Sequence, residues 1–180
     1  MGTLRFRKVT RDVENTTFSC GVSSIDQYVK DSYYPLLTQH AYTYSIVSGD
    51  IVLGYYQVLF REIQLDDFPE EISEYSSEVK ADTISAVHIR YIAVDKRYQK
   101  HKIGTSTLKT IIKDVQELTN RWPVRVITID ARIELIQWYE EEGFVKMETN
   151  TPGQDGLTVR MYFDCHRFTE DLEQYINDMI

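Results

Sequence analysis

The chain has 180 residues, of which 42% are apolar and 27% are charged, and its formal net charge is −8. This composition is ordinary for a globular protein and argues against an intrinsically disordered chain. No apolar run approaches the ~20 residues of a membrane-spanning helix, and the first residues lack the apolar core of a signal peptide. We therefore expect one domain over residues 1–180, soluble in the cytoplasm, with Cys20 and Cys165 as free thiols.

The first third of the sequence predicts a strand, a helix and a β-hairpin. Residues 4–10 have the apolar alternation of a strand. Residues 42–47 and 51–63 are β-rich runs separated by a short turn that contains Gly49, which is typical of a hairpin. Between the first strand and the hairpin we expect a helix that runs toward Leu37, and its candidate N-caps are Ser23, Ser24 and Asp26.

The segment after the hairpin, residues 65–80, is strongly acidic. Within this segment no Lys or Arg precedes Lys80, and carboxylates occur at Asp66, Asp67, Glu70, Glu71, Glu74 and Glu78. A solvated loop is one interpretation, and a lip that attracts an amine substrate is the other. The negative charge of the whole chain likewise favours cationic substrates and disfavours a nucleic-acid partner without excluding one.

The rest of the sequence predicts strands that alternate with amphipathic helices. The expected elements are strands at 84–94, 124–129, 144–147 and 157–163, and helices at 104–119 and 132–142. Gly143 suits the C′ position of the second of these helices, and the tail from Thr169 suggests a terminal helix. This order predicts an α/β fold with a mixed central sheet, a parallel strand pair at its centre and flanking helices.

A cationic turn joins the strand 84–94 to the helix 104–119. It places Lys96, Arg97, Lys100 and Lys102 close together in an otherwise acidic chain. Because the first N–H groups of a helix lack intrahelical partners and the helix dipole adds positive potential there, this turn suits a phosphate-bearing cofactor. The pattern is neither a Walker loop nor the dinucleotide fingerprint, and an ordinary exposed loop is the alternative.

The turn resembles the acetyl-coenzyme-A-binding motif of the GNAT superfamily of N-acetyltransferases, Gln/Arg-x-x-Gly-x-Gly/Ala after a strand. Gln99 and Gly104 match this motif, while Lys102 stands where the family has its first glycine. If its backbone is helical, Lys102 would contribute charge there. A second run resembles the family's aromatic-Tyr-x-x-x-Gly-Phe motif, namely Trp138-Tyr139-Glu140-Glu141-Glu142-Gly143-Phe144.

The resemblance implies direct attack of a substrate amine on acetyl-coenzyme A (acetyl-CoA), with no metal. The backbone of Ile92, Ala93 and Val94 would pair with the pantetheine arm like an added strand. The pyrophosphate would be held by Gln99, Lys100, His101, Lys102, Ile103, Gly104 and Thr105. Tyr139 is the candidate catalytic residue, because a phenol with a pKa near ~10 can protonate a departing thiolate.

Other ionisable residues give weaker signals. His88 and Glu62 lie on predicted strands and are candidate general bases, although a water chain could also carry the proton. His40, His101 and His166 do not cluster with the cysteines at metal-ligand spacing, so a metal site is not expected.

Three functions are compatible with the sequence. The first is N-acetylation of a primary amine on a small molecule or peptide, which the acidic charge favours. The second is a GNAT toxin that acetylates aminoacyl-tRNA, since Phe18-Ser19-Cys20-Gly21 and Gly54-Tyr55-Tyr56 look like that branch. The third is a catalytically idle acyl-CoA sensor, suggested by Lys102 and by Arg132, which replaces a usual Asn. A homodimer is one open alternative for the assembly.

Overall fold

In the computed structural model, which describes residues 3–68, 82–147 and 158–165, seven strands form one mixed sheet. In chain order they are β1 Arg5–Lys8, β2 Tyr42–Ser48, β3 Ile51–Gln64, β4 Thr83–Val94, β5 Val126–Arg132, β6 Val145–Lys146 and β7 Thr158–Asp164. They lie side by side in the order β1-β2-β3-β4-β5-β7-β6. The pair β4–β5 is parallel and its neighbours are antiparallel, which confirms the predicted fold class.

Helices cover both faces of the sheet. They are α1 Ser23–Lys30, α2 Tyr33–Leu37, α3 Ile103–Leu118 and α4 Ile136–Glu141, with short 3₁₀ turns at Arg11–Asn15, Leu65–Asp67 and Ile133–Leu135. The apolar stripe of α3 packs on one face in a core that includes Val87, Ile89, Leu108, Ile111, Ile127 and Ile129. On the other face, Val29 of α1 packs with Tyr55, Tyr91 and Ala93.

The helix expected to run toward Leu37 is interrupted, so that prediction is wrong in its middle. α1 ends at Lys30 and α2 begins at Tyr33. Pro35 lacks the N–H that a continuous helix would donate to the carbonyl of Asp31, and the chain breaks its helix there. Ser32 occupies the break, and its hydroxyl donates to the carbonyl oxygen of Val29 at 2.6 Å.

The expected side-chain caps of α1 are also not observed. Val22 is the N-cap residue of α1, without a side-chain capping bond. The Asp26 carboxylate instead accepts hydrogen bonds from the Ser19 hydroxyl and the Cys20 N–H, both at 2.8 Å. Asp26 therefore fastens the preceding segment to the helix rather than starting it.

Boundaries in the second half differ from expectation by a few residues. β5 covers Val126–Arg132 instead of 124–129, and α4 begins only at Ile136, because the preceding turn is 3₁₀. Gly143 follows α4 with φ +91, which confirms it as the C′ residue. The expected terminal helix from Thr169 and residues 69–80 of the acidic segment lie outside the described residues.

The central parallel pair separates part of the way along its length. β4 and β5 pair from Ala86–Val126 to Ile89–Ile129 and no further. β4 continues to Val94 against β3 on its other side, while β5 continues to Arg132 against β7. The register of β3 and β4 also shifts here, since Val58 pairs with Ile89 and Gln57 with Tyr91, leaving Arg90 as a bulge. The sheet therefore opens at Arg90.

Gly54 allows β3 to approach the free end of β4 closely. It pairs with Val94, and a Cβ at Gly54 would overlap the carbonyl oxygen of Ala93 and lie 3.1 Å from the Cα of Val94. Both obstacles are backbone atoms that cannot rotate away. A side chain at this position would therefore push the two strands apart.

We expect Gly54→Ala to lower the free energy of unfolding by about 1–3 kcal/mol, the usual range for overpacking. Urea unfolding followed by circular dichroism would measure the change. Gly104→Ala is the matched control, because its Cβ would meet nothing nearer than 3.8 Å and alanine favours a helix. Equal destabilisation by both substitutions would contradict the role given to Gly54.

Candidate active site

A cleft of about 470 Å³ lies where the end of β4 meets the start of α3. Its lining combines most of the expected cofactor residues with Leu135 and Trp138, which precede Tyr139 in the chain. The lining residues are Val94, Tyr98, Gln99, Lys100, Lys102, Ile103, Gly104, Thr105, Leu135 and Trp138. The two sequence motifs therefore meet in one cavity. Tyr98, Leu135 and Trp138 were not expected to line it; only the aromatic position of the second motif pointed to Trp138.

The backbone of the turn is left-handed at two lysines. Lys100 has φ 65, and Lys102 has φ 58 and ψ 16. Lys102 therefore lacks the right-handed helical backbone that was assumed for it and adopts the conformation that usually favours glycine, but it still lines the cleft and keeps its charge there. Turns with left-handed residues direct successive N–H groups into one concavity, which suits an anion such as a pyrophosphate.

The turn is held in place by a buried carboxylate. Asp95, 2% exposed, accepts hydrogen bonds from the Arg97 backbone N–H at 3.0 Å and from its Nε and Nη2 at 2.8 and 2.9 Å. These bonds hold the pKa of Asp95 below its usual value. The Asp95 N–H donates to the Leu53 carbonyl at 2.8 Å, which ties the turn to β3.

Gln99, in the lining of the cleft, bonds the turn to neighbouring segments of the chain. Its side-chain amide donates to the carbonyl oxygens of Cys20 at 2.9 Å and Val94 at 3.1 Å. The Lys96 N–H donates to Ser19 O at 2.9 Å. The segment before α1 is thus bonded to the turn.

The N-terminus of α3 faces this cleft. Its first backbone bond runs from the Ser106 N–H to the Lys102 carbonyl at 3.0 Å, so the N–H groups of Ile103, Gly104 and Thr105 precede the helical ladder. Together with the positive end of the helix dipole, these groups form an electropositive wall. His101 does not line the cleft; its Nδ1 lies 2.8 Å from the carbonyl oxygen of Gln99.

The end of β4 presents a free backbone edge. Ile92 and Ala93 pair with Tyr56 and Tyr55 of β3, and Val94 pairs with Gly54. On the other side of these three residues no strand of the described chain is paired. An extended ligand could therefore add to β4 as a strand would.

Tyr139 is buried behind the cleft rather than lining it. It is 4% exposed, and its ring centre lies 4.5 Å from that of Trp138 and 5.5 Å from that of Phe144. Burial raises the pKa of its phenol, so the hydroxyl carries its proton at neutral pH. The Trp138 indole N–H donates to the Thr105 hydroxyl at 3.1 Å, which connects α4 to the first turn of α3.

The two candidate bases lie in contrasting environments. His88 is 2% exposed, and its Nδ1 lies 3.0 Å from the Thr128 hydroxyl. Burial, followed by the positive charge of Arg61, lowers the pKa of His88 to about 4, so it is neutral near pH 7. Glu62 is exposed on β3. His88 thus has the environment of a structural histidine.

The two cysteines and the possible metal ligands do not form a second candidate catalytic site among the described residues. Cys20 and Cys165 are free thiols, as expected, and burial raises their pKa values to about 11 and about 12. Among the described residues, no group of three or more His, Cys, Asp or Glu side chains could hold a metal ion. Within those same ranges, no helix has both the length and the apolar character needed to cross a membrane.

Comparison with known families defines the class of protein. The family model of the acetyltransferase (GNAT) domain matches residues 75–164. The chain therefore belongs to the GNAT acetyltransferase family and is an acyl-CoA-dependent acetyltransferase with acetyl-CoA as its cosubstrate, as the two motifs predicted. A search of curated proteins finds no match.

Solved structures resemble the chain along nearly its whole length. A tyrosine-to-phenylalanine mutant of KacT matches with a TM-score of 0.75 and 17% identity, over 96% of this chain and 98% of KacT. AtaT in complex with acetyl-methionyl-tRNAfMet matches with a TM-score of 0.74 and 15% identity, over 97% of this chain and 99% of AtaT. AtaTR bound with acetyl-CoA matches with a TM-score of 0.71 and 15% identity, over 96% of this chain and 98% of the matched chain. At such identities the likeness establishes a shared fold.

The buried His88 makes stability depend on pH. Its pKa is near 6.5 in the unfolded chain and about 4 in the folded protein, so the unfolded chain binds more protons between these values. Acidification from pH 7 to pH 5 should therefore lower the free energy of unfolding by about 2 kcal/mol through this group. Urea unfolding at both pH values measures the loss.

The variant His88→Gln removes the titrating group and provides the comparison. Its free energy of unfolding should fall less than that of the wild type over the same interval. An identical loss in the two proteins would show that other groups cause the pH dependence.

Proposed function

We propose that this acetyltransferase transfers the acetyl group of acetyl-CoA to the α-amine of an aminoacyl-tRNA. The observation that carries the proposal is the match to AtaT, solved with acetyl-methionyl-tRNAfMet, over 97% of this chain. The resemblance of the N-terminal segment to the toxin branch supports it. This segment is bonded to the cofactor turn through Gln99 and Lys96, so it belongs to the same site.

The cleft and the adjoining edge of β4 offer backbone donors and positive charges that suit the phosphate and pantetheine parts of acetyl-CoA. The N–H groups of Ile103, Gly104 and Thr105 would hold the pyrophosphate, assisted by the charges of Lys100 and Lys102. The free edge of β4 at Ile92–Val94 would bind the pantetheine arm through backbone hydrogen bonds. Acetyl-CoA supplies the thioester whose sulfur leaves as the amine takes the acetyl group.

Tyr139 is the proposed proton donor to that sulfur. Its phenol is protonated at neutral pH, since the ordinary phenol pKa of ~10 already lies well above 7 and burial raises the pKa further, and it lies beside Trp138 of the cleft. The proton of the attacking amine would leave through water, because His88 is engaged with Thr128 and binds protons weakly.

The charge of the chain does not oppose a tRNA acceptor at the described surface. Lys and Arg balance Asp and Glu among the described residues, so the whole net charge of −8 belongs to segments 69–81, 148–157 and 166–180. The charge argument against tRNA therefore does not apply to the sheet and its helices, where the cleft lies.

The same charge distribution favours a second candidate, a small or peptidic amine. Segment 69–81 contributes Glu70, Glu71, Glu74 and Glu78, and such an acidic segment would attract a cationic acceptor. Parallel assays with charged tRNA and with polyamines, aminoglycosides and peptides separate the two candidates. Exclusive turnover of the latter compounds would overturn the tRNA proposal.

We expect Tyr139→Phe to lower kcat for acetyl transfer by on the order of 10²-fold while leaving the affinity for acetyl-CoA unchanged, since only the donated proton is lost. Release of coenzyme A measures turnover, and calorimetry measures binding.

Tyr44→Phe is the control, because it removes the hydroxyl of a different tyrosine, which is partly buried and stacked on Tyr56 outside the cleft. It should retain wild-type turnover. Unchanged turnover in Tyr139→Phe would remove Tyr139 from the mechanism, and acetyl-CoA binding without turnover of any amine would favour the sensor alternative.

A further inference from the structure

A cluster of polar side chains lies on the sheet face opposite α3. Along β4 and β5, Val87, Ile89, Ile127 and Ile129 belong to the core under α3. Because side chains alternate along a strand, His88, Thr128 and Asp130 lie on the other face. The 3.0 Å contact between His88 and Thr128 is consistent with this placement.

This cluster contains more positive than negative charge. Arg61 pairs with Ala86, two residues before His88 on β4, and therefore shares the face of His88. The positive charges of Arg61, Arg160 and Arg90 act on His88, Asp130 opposes them there, and Asp67 is a second carboxylate that acts on Arg160. Arg160 already binds Asp130, with its Nε 2.8 Å and its Nη2 3.5 Å from the carboxylate oxygens. Within the described ranges, neither Arg61 nor Arg90 forms a salt bridge.

Arg90 is positioned by neutral groups that do not cancel its charge. Its Nη1 donates to the Gln57 side-chain oxygen at 3.3 Å, and its guanidinium carbon lies 5.1 Å from the ring centre of Tyr28. Gln57 is 1% exposed and is itself fixed by donating to the Thr43 hydroxyl at 2.7 Å. A guanidinium that is oriented but not neutralised is prepared to bind an anion.

The location of this charge connects it to acetyl transfer. Arg90 is the bulged residue at which β4 and β5 separate, and the three edge residues assigned to the pantetheine arm begin two residues later at Ile92. Two residues of strand span about 7 Å. In an aminoacyl-tRNA the α-amine is separated from the 5′ phosphate of the terminal nucleotide by the aminoacyl ester and one ribose, a spacing of the same order.

We infer that Arg61 and Arg90 form an anion site that binds a phosphate of the acceptor and thereby positions its amine at the opening between β4 and β5. The inference rests on the proposed function and extends it, since it identifies residues that select an aminoacyl-nucleotide acceptor. A guanidinium pair suits a phosphate, which accepts several N–H donors at once. Arg160 would act indirectly, by keeping Asp130 away from the site.

The test uses two acceptors that differ only by a phosphate. Puromycin has a free α-amine on an aminoacyl-nucleoside, and its 5′-phosphate derivative adds the anion. The wild-type enzyme should acetylate the phosphorylated form with a kcat/KM at least about tenfold higher, through a lower KM. Arg61→Gln and Arg90→Gln should each reduce that preference severalfold while kcat for saturating acceptor stays near the wild-type value.

Arg121→Gln is the matched control, because it removes one exposed guanidinium at the far end of α3 and should leave the preference intact. Thermal unfolding and acetyl-CoA binding verify that each variant is folded. Equal use of both acceptors by the wild type, or an unchanged preference in the Arg61 and Arg90 variants, would overturn the anion site.

The two proposals fail in different ways. If the wild type acetylates both compounds without preference, the aminoacyl acceptor stands and the anion site is wrong. If it acetylates neither but calorimetry shows binding of puromycin 5′-phosphate that depends on Arg61 and Arg90, the anion site stands and the proposed acceptor is wrong. Neither turnover nor binding would overturn both.

Discussion

β4 and β5 pair only as far as Ile89 and Ile129, and both candidate ligand surfaces depend on that limit. Continued pairing would have bonded the backbone of Ile92–Val94 to β5 and closed the edge that a pantetheine arm could use. The bulge at Arg90 and the close approach at Gly54 keep β4 against β3 while it leaves β5. The opening is therefore a built feature of the sheet, with backbone hydrogen bonds maintained on the β3 side.

The cofactor turn shows how a residue of unexpected type can keep the local geometry of a motif. Glycine enters left-handed conformations at little cost, whereas lysine requires about 1–2 kcal/mol. Lys102 adopts that conformation nevertheless, because bonds of Asp95 and Gln99 fix the turn to β3 and to the segment before α1. The substitution therefore adds a positive charge beside the N-terminus of α3 without removing the concavity.

Much of the fold could be predicted from the sequence, because apolar periodicity records which face of each element is buried. The strand 84–94 and α3 were predicted on that basis, whereas the hairpin and the C′ role of Gly143 were predicted from glycine at a turn and at a helix end. Pairings between distant side chains leave no periodic signal, so the bonding of Asp26 to Ser19 and the cluster around Arg61, Arg90 and Asp130 were not. The break before Pro35 could have been inferred from its missing N–H. The net charge does not locate charge along the chain, because it is a property of the whole chain while its excess of carboxylates is confined to segments 69–81, 148–157 and 166–180.

The hydrogen bond between Trp138 and Thr105 has a spectroscopic consequence. The chain has 2 tryptophans, and Trp122 is 62% exposed beyond the C-terminal end of α3. Trp138 instead lines the cleft with its indole N–H bonded to the first turn of α3. Trp122→Phe would therefore leave Trp138 as the single tryptophan, and its emission, excited selectively over the 13 tyrosines, would report on the polarity of the cleft. The protein thus carries its own optical probe at the place where its two sequence motifs meet.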